Sequence, residues 1–344
     1  MAAVTSTASP ECGLAGRLYR YRTSPNALQC FESPGTDGFK KYCVYLGGLT
    51  DGLLACAYVE PLASELERRG WALVQPVISS SYLGYGCGSL NRDSRELGEL
   101  LDFLVAHRGC TDVALVGHST GCQNAVHFMR HAPRHQRSLV RACGLQAPVS
   151  DREAAWKEER KERGGGGDAA ADGSIEALLL RSTEMVAAGR GHEIVTMQYG
   201  FAPISAHRYL DLTKRGGADD LFSSDFADVE LASLLGHMST AGQHALEKRE
   251  EEEEEEEGSQ AKEPHRGLRS LVAFSMLDEY VIIPEPDRSR HVQRLCAAMA
   301  SASSSSLPDV VALELDGASH NLKTPPEAAP AFVQAVGELL SSVA

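Results

Sequence analysis

Short apolar segments alternate with helical patterns along most of the chain, and this alternation constrains the fold more than any other feature. Strand-length apolar segments recur at residues 28–31, 42–46, 71–77, 113–116, 139–145, 270–276 and 310–315. Between them, apolar residues recur at helical spacing, most clearly over residues 94–107. Strands that alternate with helices form right-handed βαβ units. The pattern therefore predicts an α/β fold with a mostly parallel central sheet and helices on both faces.

The alternation stops between residues 150 and 269, which predicts three parts. Residues 1–149 and 270–344 form the two halves of one core, and residues 150–269 form an inserted cap or lid over the carboxyl ends of the strands. A Gly-rich tract at 163–173 is expected to be a flexible loop. Residues 250–262, which contain eight consecutive glutamates, are expected to be disordered because like charges repel and nothing apolar can be buried.

Charge and hydropathy exclude several function classes. The net charge of −14 argues against a nucleic-acid partner, although the run of glutamates accounts for more than half of that excess. No apolar stretch approaches the roughly 18 residues that a membrane helix needs. We therefore expect neither nucleic-acid nor membrane binding, and the sequence is silent on the oligomeric state.

The nine cysteines favour a reducing compartment. Their number is odd, they are scattered, and no C-x-x-C occurs, so neither a disulfide framework nor a zinc site is expected. The beginning of the chain lacks an apolar signal segment, and we expect a cytoplasmic protein. Arg17, Arg20 and Arg22 with few acids leave organelle import as an alternative, unless residues 16–21 already form the first strand.

The motif Gly117-His118-Ser119-Thr120-Gly121 carries the strongest chemical signal. Alone it is weak, but here it directly follows the strand at 113–116 and precedes a helical segment. A sharp strand-to-helix turn exposes a serine hydroxyl, and side chains at either glycine would collide with neighbouring elements. We predict Ser119 as a nucleophile, whereas His118 is discounted as its base because adjacent side chains point apart at such a turn.

A serine hydroxyl needs a base and a third group that orients the base. His320 follows the last predicted strand, where a hydrolase of this architecture places its base. Asp278 follows the strand at 270–276 and gives the chain order Ser, Asp, His. Glu279 and Asp151 also lie after strands, so the identity of the acid stays open, with Asp278 favoured.

The anion of a tetrahedral intermediate needs fixed hydrogen-bond donors. One is the backbone N–H of Thr120, which follows the nucleophile. The other is expected from the glycine-rich loop at 47–52, and we favour the N–H of Gly48 or of Leu49.

Two other patterns resemble cofactor or metal sites. Gly84, Gly86 and Gly88 follow a strand, but their spacing differs from a dinucleotide loop. Histidines recur at 127, 131 and 135 without an acidic partner, and Pro133 interrupts the helix. We expect no cofactor and no metal.

Several motifs together resemble a poorly characterised eukaryotic α/β-hydrolase family that includes fungal esterases that open fusarinine-type hydroxamate siderophores. The matching segments lie at 47–52, 75–76, 80–86, 117–123, 146–153 and 222–225, and the resemblance spans about residues 16–340. It implies an α/β-hydrolase fold with Ser119, Asp278 and His320 as nucleophile, acid and base. Ser81, Tyr82, Asp151 and Arg152 are candidates for orienting the substrate or the cap.

The sequence thus predicts a metal-free serine hydrolase that cleaves a small-molecule carboxylic ester through an acyl-enzyme. An acyltransferase or thioesterase with the same triad is an alternative, because the pocket selects the acceptor. A non-catalytic scaffold or receptor with a hydrolase fold is a third possibility, since fold alone does not fix function.

Overall fold

A computed structural model of the protein describes residues 13–162, 173–254, 265–300 and 308–343. Ten strands are present in the described part: β1 Arg17–Arg22, β2 Leu28–Ser33, β3 Lys41–Leu46, β4 Trp71–Val77, β5 Asp112–His118, β6 Val140–Gln146, β7 Ile194–Gln198, β8 Ala202–Ser205, β9 Arg269–Ser275 and β10 Val310–Leu315. The helices are α1 Val59–Arg68, α2 Leu90–Arg108, α3 Thr120–His131, α4 Arg134–Arg137, α5 Asp151–Glu162, α6 Ile175–Ala187, α7 Ala206–Thr213, α8 Asp228–Leu235, α9 Thr240–Glu254, α10 Glu285–Met299 and α11 Ala328–Ser341, with a 3₁₀ helix at Tyr82–Cys87.

Eight of the strands form one sheet in the order β1-β2-β4-β3-β5-β6-β9-β10, and β7 and β8 form a separate hairpin. The six strands from β4 to β10 in that order are parallel, whereas β2 pairs antiparallel with both β1 and β4. The predicted mostly parallel sheet is confirmed. Of the two alternatives for the arginine-containing stretch near residue 17, the structure shows the first strand, since Arg17–Arg22 is β1 of this sheet.

Both faces of the sheet are buried, which explains why its central strands are apolar at successive positions. In β3, Tyr42, Val44 and Leu46 contact the core beneath α2, α3, α8 and α10. Cys43 and Tyr45 point to the opposite core, beneath α1 and α11. Side chains alternate between the faces of a strand, so helices on both faces require an unbroken apolar run.

Helix α2 shows how local signals set its limits. The Ser89 side chain accepts a hydrogen bond from Arg92 N–H at the beginning, and Gly109 adopts a left-handed conformation with φ 66° at the end. The helix is longer than the predicted segment 94–107. Val105, expected on its apolar face, is 42% exposed. Helix α1 is shorter than the expected 53–69, since it begins at Val59.

The inserted block is more ordered than its composition predicts. The stretch 201–228, which shows no clear periodicity, contains β8 and α7. Helices α8 and α10 pack together, and Leu231 and Leu235 of α8 belong to the main core. Helix α8 is therefore packed as part of the core.

The acidic tract begins as a helix, which contradicts its predicted disorder from residue 250. Helix α9 continues to Glu254, and Glu250 Oε2 accepts a hydrogen bond from Arg137 Nη2 at 2.7 Å. Arg134 forms an ion pair with Glu251. These arginines offset the like-charge repulsion on which the prediction rested. Residues 255–262, and the Gly-rich tract at 163–172, lie outside the described residues.

No helix in the described ranges is long and apolar enough to cross a bilayer. All eight cysteines within those ranges are free thiols.

Candidate active site

Ser119 occupies a strained turn between β5 and α3. Its φ is 53° and its ψ is −124°, a combination that a residue with a side chain rarely adopts. The glycines on either side make the turn possible. A Cβ on Gly117 would lie 2.4 Å from the carbonyl carbon of Gly121, and a Cβ on Gly121 would lie 2.1 Å from Leu46 O. The turn therefore has the sharpness that exposes a serine hydroxyl at the end of a strand.

The glycine-rich loop after β3 packs directly against this turn. A Cβ on Gly48 would lie 2.8 Å from the Ser119 Cβ. The Gly48 N–H donates to Asp51 Oδ2 at 2.7 Å, and the Asp51 N–H donates to Gly48 O at 3.1 Å. Asp51 thus occupies the Gly48 N–H in this structure, which favours the Leu49 N–H of the two predicted alternatives. Thr120 is the first residue of α3, where backbone N–H groups have no partner within the helix.

His320 and Asp278 meet at the same edge of the sheet. The His320 Nδ1 lies 2.7 Å from Asp278 Oδ2, and both residues are buried. Because Nδ1 faces a carboxyl oxygen, it carries the ring proton, and Nε2 is the nitrogen left with a lone pair. The other Asp278 oxygen accepts the Tyr280 N–H at 2.9 Å. The Tyr280 ring packs edge-on against the imidazole, with 4.7 Å between ring centroids.

The two alternative acids have other partners. Glu279 Oε2 accepts the backbone N–H of His320 at 2.9 Å, so it holds the loop and not the ring. Asp151 Oδ2 accepts a hydrogen bond from Gln123 Nε2 at 3.0 Å. Burial, with Asp219 nearby, raises the pKa of Asp151 to about 7. Of the three candidates, only Asp278 contacts the His320 imidazole.

His118 links the serine turn to His320. Its ring centroid lies 4.9 Å from that of His320, and its Nδ1 lies 2.5 Å from Gln146 Oε1. Burial and the neighbouring His320 lower the pKa of His118 to about 3. The residue next to the nucleophile is therefore a neutral neighbour of His320. That His118 is not the base remains a prediction.

A cleft of about 40 Å³ opens beside the loop after β3 and the first residue of α3. Gln75, Ser81 and Arg208 contribute polar groups to its lining. Gln75 is 2% exposed, and its Nε2 has no hydrogen-bond partner in the described structure. Ser81 lines the cleft as expected. The Tyr82 ring instead occupies the space that a Cβ on Gly52 would need, and Tyr82 is half exposed.

Arg152 connects α5 to the segment that follows α7. Its Nε donates to Asp220 Oδ2 at 2.8 Å, its two terminal nitrogens donate to Asp225, and its guanidinium lies 5.8 Å from the centroid of the Phe226 ring. All of its charged partners belong to the inserted block. Of the two roles predicted for Arg152, the contacts favour orientation of the cap.

Among the residues that the structure describes, one group of possible metal ligands lies near the site. Asp51, Cys56 and His118 each bring a ligand atom within 4.8 Å of the others. The Asp51 oxygen accepts the Gly48 N–H, and burial raises the pKa of the Cys56 thiol to about 11. A metal needs the thiolate form. The absence of a metal centre remains a prediction.

Gln146 was not predicted as a site residue, although it begins the segment 146–153 that contributes to the family resemblance. Its buried amide contacts both His118 and the His320 loop. A glutamine at the end of the otherwise apolar strand β6 was the available signal, because a polar group is rarely buried there without a bonding role.

A parallel sheet that carries a serine on a strained strand-to-helix turn, with the order Ser119, Asp278 and His320 along the chain, defines an α/β-hydrolase. A family model described as a protein of unknown function, DUF1749, matches residues 5–341. The chain belongs to that family.

Named relatives carry the assignment further. The UPF0613 protein of Schizosaccharomyces pombe is 33% identical over 300 residues, which cover 83% of this chain and 82% of that protein. Fusarinine C esterase sidJ of Aspergillus fumigatus is 29% identical over 268 residues, which cover 68% of this chain and 75% of that protein. The solved siderophore hydrolase EstB from Aspergillus fumigatus superposes with a TM-score of 0.67 at 25% identity, covering 97% of this chain and 99% of the other. The predictions of the family, of the α/β-hydrolase fold and of an ester-hydrolysing enzyme are confirmed.

Proposed function

We propose that the protein cleaves carboxylic esters through a Ser119–His320–Asp278 triad and an acyl-enzyme. The observation that carries the proposal is the 2.7 Å contact between His320 Nδ1 and Asp278 Oδ2, in a sheet that also carries a partly buried serine with a strained backbone. This contact fixes the tautomer in which His320 Nε2 can accept a proton. A serine without such a base is a poor nucleophile.

In the acylation half of the reaction, His320 Nε2 takes the proton of the Ser119 hydroxyl while Oγ attacks the ester carbonyl carbon. The carbonyl oxygen becomes an anion that the N–H groups of Thr120 and Leu49 stabilise. The intermediate collapses when the bond to the alcohol oxygen breaks, and His320 returns the proton to the departing alcohol. Asp278 stabilises the positive imidazolium between these two transfers.

In the deacylation half, water replaces the alcohol. His320 removes a proton from the water, whose oxygen attacks the acyl carbon, and the same N–H groups hold the second anion. The bond to Ser119 Oγ then breaks, and the proton passes from His320 to the serine. The products are one carboxylic acid and one alcohol for each water consumed, and no oxidant, metal or cofactor takes part.

The proposed substrate is a small-molecule ester. One sequence relative is named a fusarinine C esterase and one solved neighbour a siderophore hydrolase, so siderophore esters such as fusarinine C are the first natural substrates to assay. The cleft beside the oxyanion loop is small and lined by polar groups, which favours compact polar substrates over long acyl chains.

We propose that the cap proper comprises α5 to α7 with the β7–β8 hairpin. Arg208 of α7 lines the cleft, and a Cβ on Gly86 of the 3₁₀ helix would lie 1.9 Å from Pro203 O of β8. Helix α8, which lies later in the block 150–269, packs into the core instead. The free thiols of the described cysteines support a reducing compartment, and we propose the cytoplasm.

A fluorophosphonate probe tests the central claim, since it labels only activated serines. Wild type should be labelled and should hydrolyse p-nitrophenyl acetate, and Ser119→Ala should lose both. Ser94→Ala is a matched control: the Ser94 Oγ lies 2.7 Å from His127 Nδ1, so it removes another serine beside a histidine and should leave labelling intact. Equal labelling of wild type and Ser119→Ala, or none in wild type, would refute the triad. Product analysis with competing alcohols and thiols would reveal an acyltransferase.

A further inference from the structure

Gln146 lies between the two strands that carry the nucleophile and the acid. It is the last residue of β6, paired with His118 of β5 on one side and with Ala273 of β9 on the other. Its side chain is fully buried. An amide in such a place is costly unless its oxygen and nitrogen both find partners, so its contacts carry information about what it holds.

Those partners come from separate segments of the active site. The Nε2 donates to His320 O at 2.9 Å and to Ser275 Oγ at 3.4 Å. The Oε1 accepts from Tyr58 OH at 3.1 Å and lies 2.5 Å from His118 Nδ1. The backbone carbonyl of Gln146 also accepts the Ser119 N–H at 3.0 Å. One residue thus contacts both the serine turn and the loop of the base.

The direction of these bonds follows from chemistry. His320 O can only accept, so the amide nitrogen must face it and the amide oxygen must face His118. His118 then donates its Nδ1–H to that oxygen, while burial and the neighbouring His320 lower its pKa. A cation at 4.9 Å from the His320 ring would disfavour the imidazolium that forms during catalysis. An amide at position 146 therefore fixes the backbone of His320 and the orientation of the His118 ring beside it.

We propose that Gln146 is a positioning residue for the catalytic step, which holds the His320 loop against the serine turn and orients the His118 ring between them. This inference rests on the proposed Ser119–His320–Asp278 chemistry. It assigns Gln146 no contact with the substrate.

Two substitutions separate positioning from simple packing. Gln146→Met keeps the length but removes all side-chain hydrogen bonds, and should lower kcat by about 100-fold with KM nearly unchanged, as expected for a base displaced by roughly 1 Å. Gln146→Glu keeps the shape but adds a carboxylate. It cannot donate to His320 O, and its charge would lie against His118 Nδ1. It should therefore lower kcat as Gln146→Met does, and it should also move the acidic limb of the kcat/KM profile.

The pH profile must be interpreted against the groups that surround His320. These are Asp278, Glu279 and Tyr280 from the segment after β9, His118 from β5, Asp51 from the loop after β3, and Asp151 from α5. None of them is substituted in the two variants, so a shift between wild type and Gln146→Glu reports the new carboxylate together with its effect on the adjoining His118.

Gln243→Met is the matched control. Gln243 is also fully buried, and its Nε2 donates to two backbone carbonyls, Met129 O and His237 O, away from the site. All rates are divided by the number of sites that the fluorophosphonate labels, which removes any loss of folded enzyme. Gln243→Met should lower the melting temperature and leave kcat per labelled site and the pH limb unchanged.

The outcomes are distinct. Lower kcat per site in Gln146→Met together with a shifted limb in Gln146→Glu supports positioning. If both Gln146 variants behave like Gln243→Met, while wild type is labelled at Ser119, the role of Gln146 is overturned and the proposed function stands. If wild type is not labelled, the proposed function is overturned and the role of Gln146 with it.

Discussion

Asp93 makes the stability of the protein depend on pH. It lies in α2, is 3% exposed, and borders the cleft beside the active site. Burial raises the pKa of Asp93 to about 6, although the Ser80 hydroxyl and Arg208 oppose the effect. In an unfolded chain the pKa of an aspartate is about 3.9. The folded protein therefore binds a proton that the unfolded chain releases between these two values.

The sign and size of the effect follow directly. Where the folded state holds more protons, stability falls as pH rises, so Asp93 costs progressively more free energy from about pH 4 to about pH 6. Two pKa units correspond to about 3 kcal/mol, and roughly half of that accrues between pH 5 and pH 8. Asp93→Asn keeps the shape and cannot ionise. The stability that Asp93→Asn gains over wild type should therefore be about 1.5 kcal/mol larger at pH 8 than at pH 5.

Urea denaturation of wild type and Asp93→Asn at pH 5, 6.5 and 8 measures this difference. Asp37→Asn is the control: Asp37 is exposed, and the guanidinium groups of Arg108 and Arg17 hold its pKa below the usual range. Because Asp37 is ionised in both the folded and the unfolded chain above pH 5, its removal should change stability by a nearly constant amount from pH 5 to pH 8. If the stability difference between wild type and Asp93→Asn stays constant with pH, Asp93 does not hold a proton in the folded state.

Three further predictions, each with a comparison variant, test separate parts of the site. Asp278→Asn should reduce kcat with p-nitrophenyl acetate by about 10⁴-fold, as loss of the orienting carboxylate does in other triads. If Asp278→Asn keeps near wild-type turnover while Asp151→Asn is inactive, Asp151 is the acid. Gly121→Ala should destabilise the fold by about 2 kcal/mol in urea, because its Cβ would lie 2.1 Å from Leu46 O. Gly173→Ala, whose Cβ would meet nothing within 4 Å, should be neutral, and an equal effect of both would contradict the steric account. Arg152→Met should lower the free energy of unfolding by about 3 kcal/mol, because Asp220 would stay buried without its cation. Arg152→Lys should recover part of this loss. An unchanged denaturation midpoint in Arg152→Met would show that the ion pair does not hold the cap.

Much of the site was predictable because it depends on local sequence. The glycines at 117 and 121 could be recognised as obligatory, since a sharp turn beside a strand excludes side chains whatever the surroundings. His320 and Asp278 were predictable from their positions after strands, since the carboxyl ends of parallel strands meet at one edge of a sheet.

Other features depended on contacts that a linear sequence pattern does not reveal, most of them between residues far apart in the chain. The acidic tract was expected to be disordered, but Arg134 and Arg137 lie more than a hundred residues away and stabilise its first turn. The occupation of the Gly48 N–H by Asp51 required the conformation of the loop. The role proposed for Gln146 rests on contacts with residues up to 174 positions away.

The sequence by itself determined the layered sheet and the chemistry at its edge, because apolar periodicity and glycine sterics act over a few residues. Only the tertiary structure decided which carboxylate faces the imidazole, which backbone donor is already occupied, and how much of the inserted block packs as core. Those choices depend on distances between segments far apart in the chain, and a linear pattern does not encode distances.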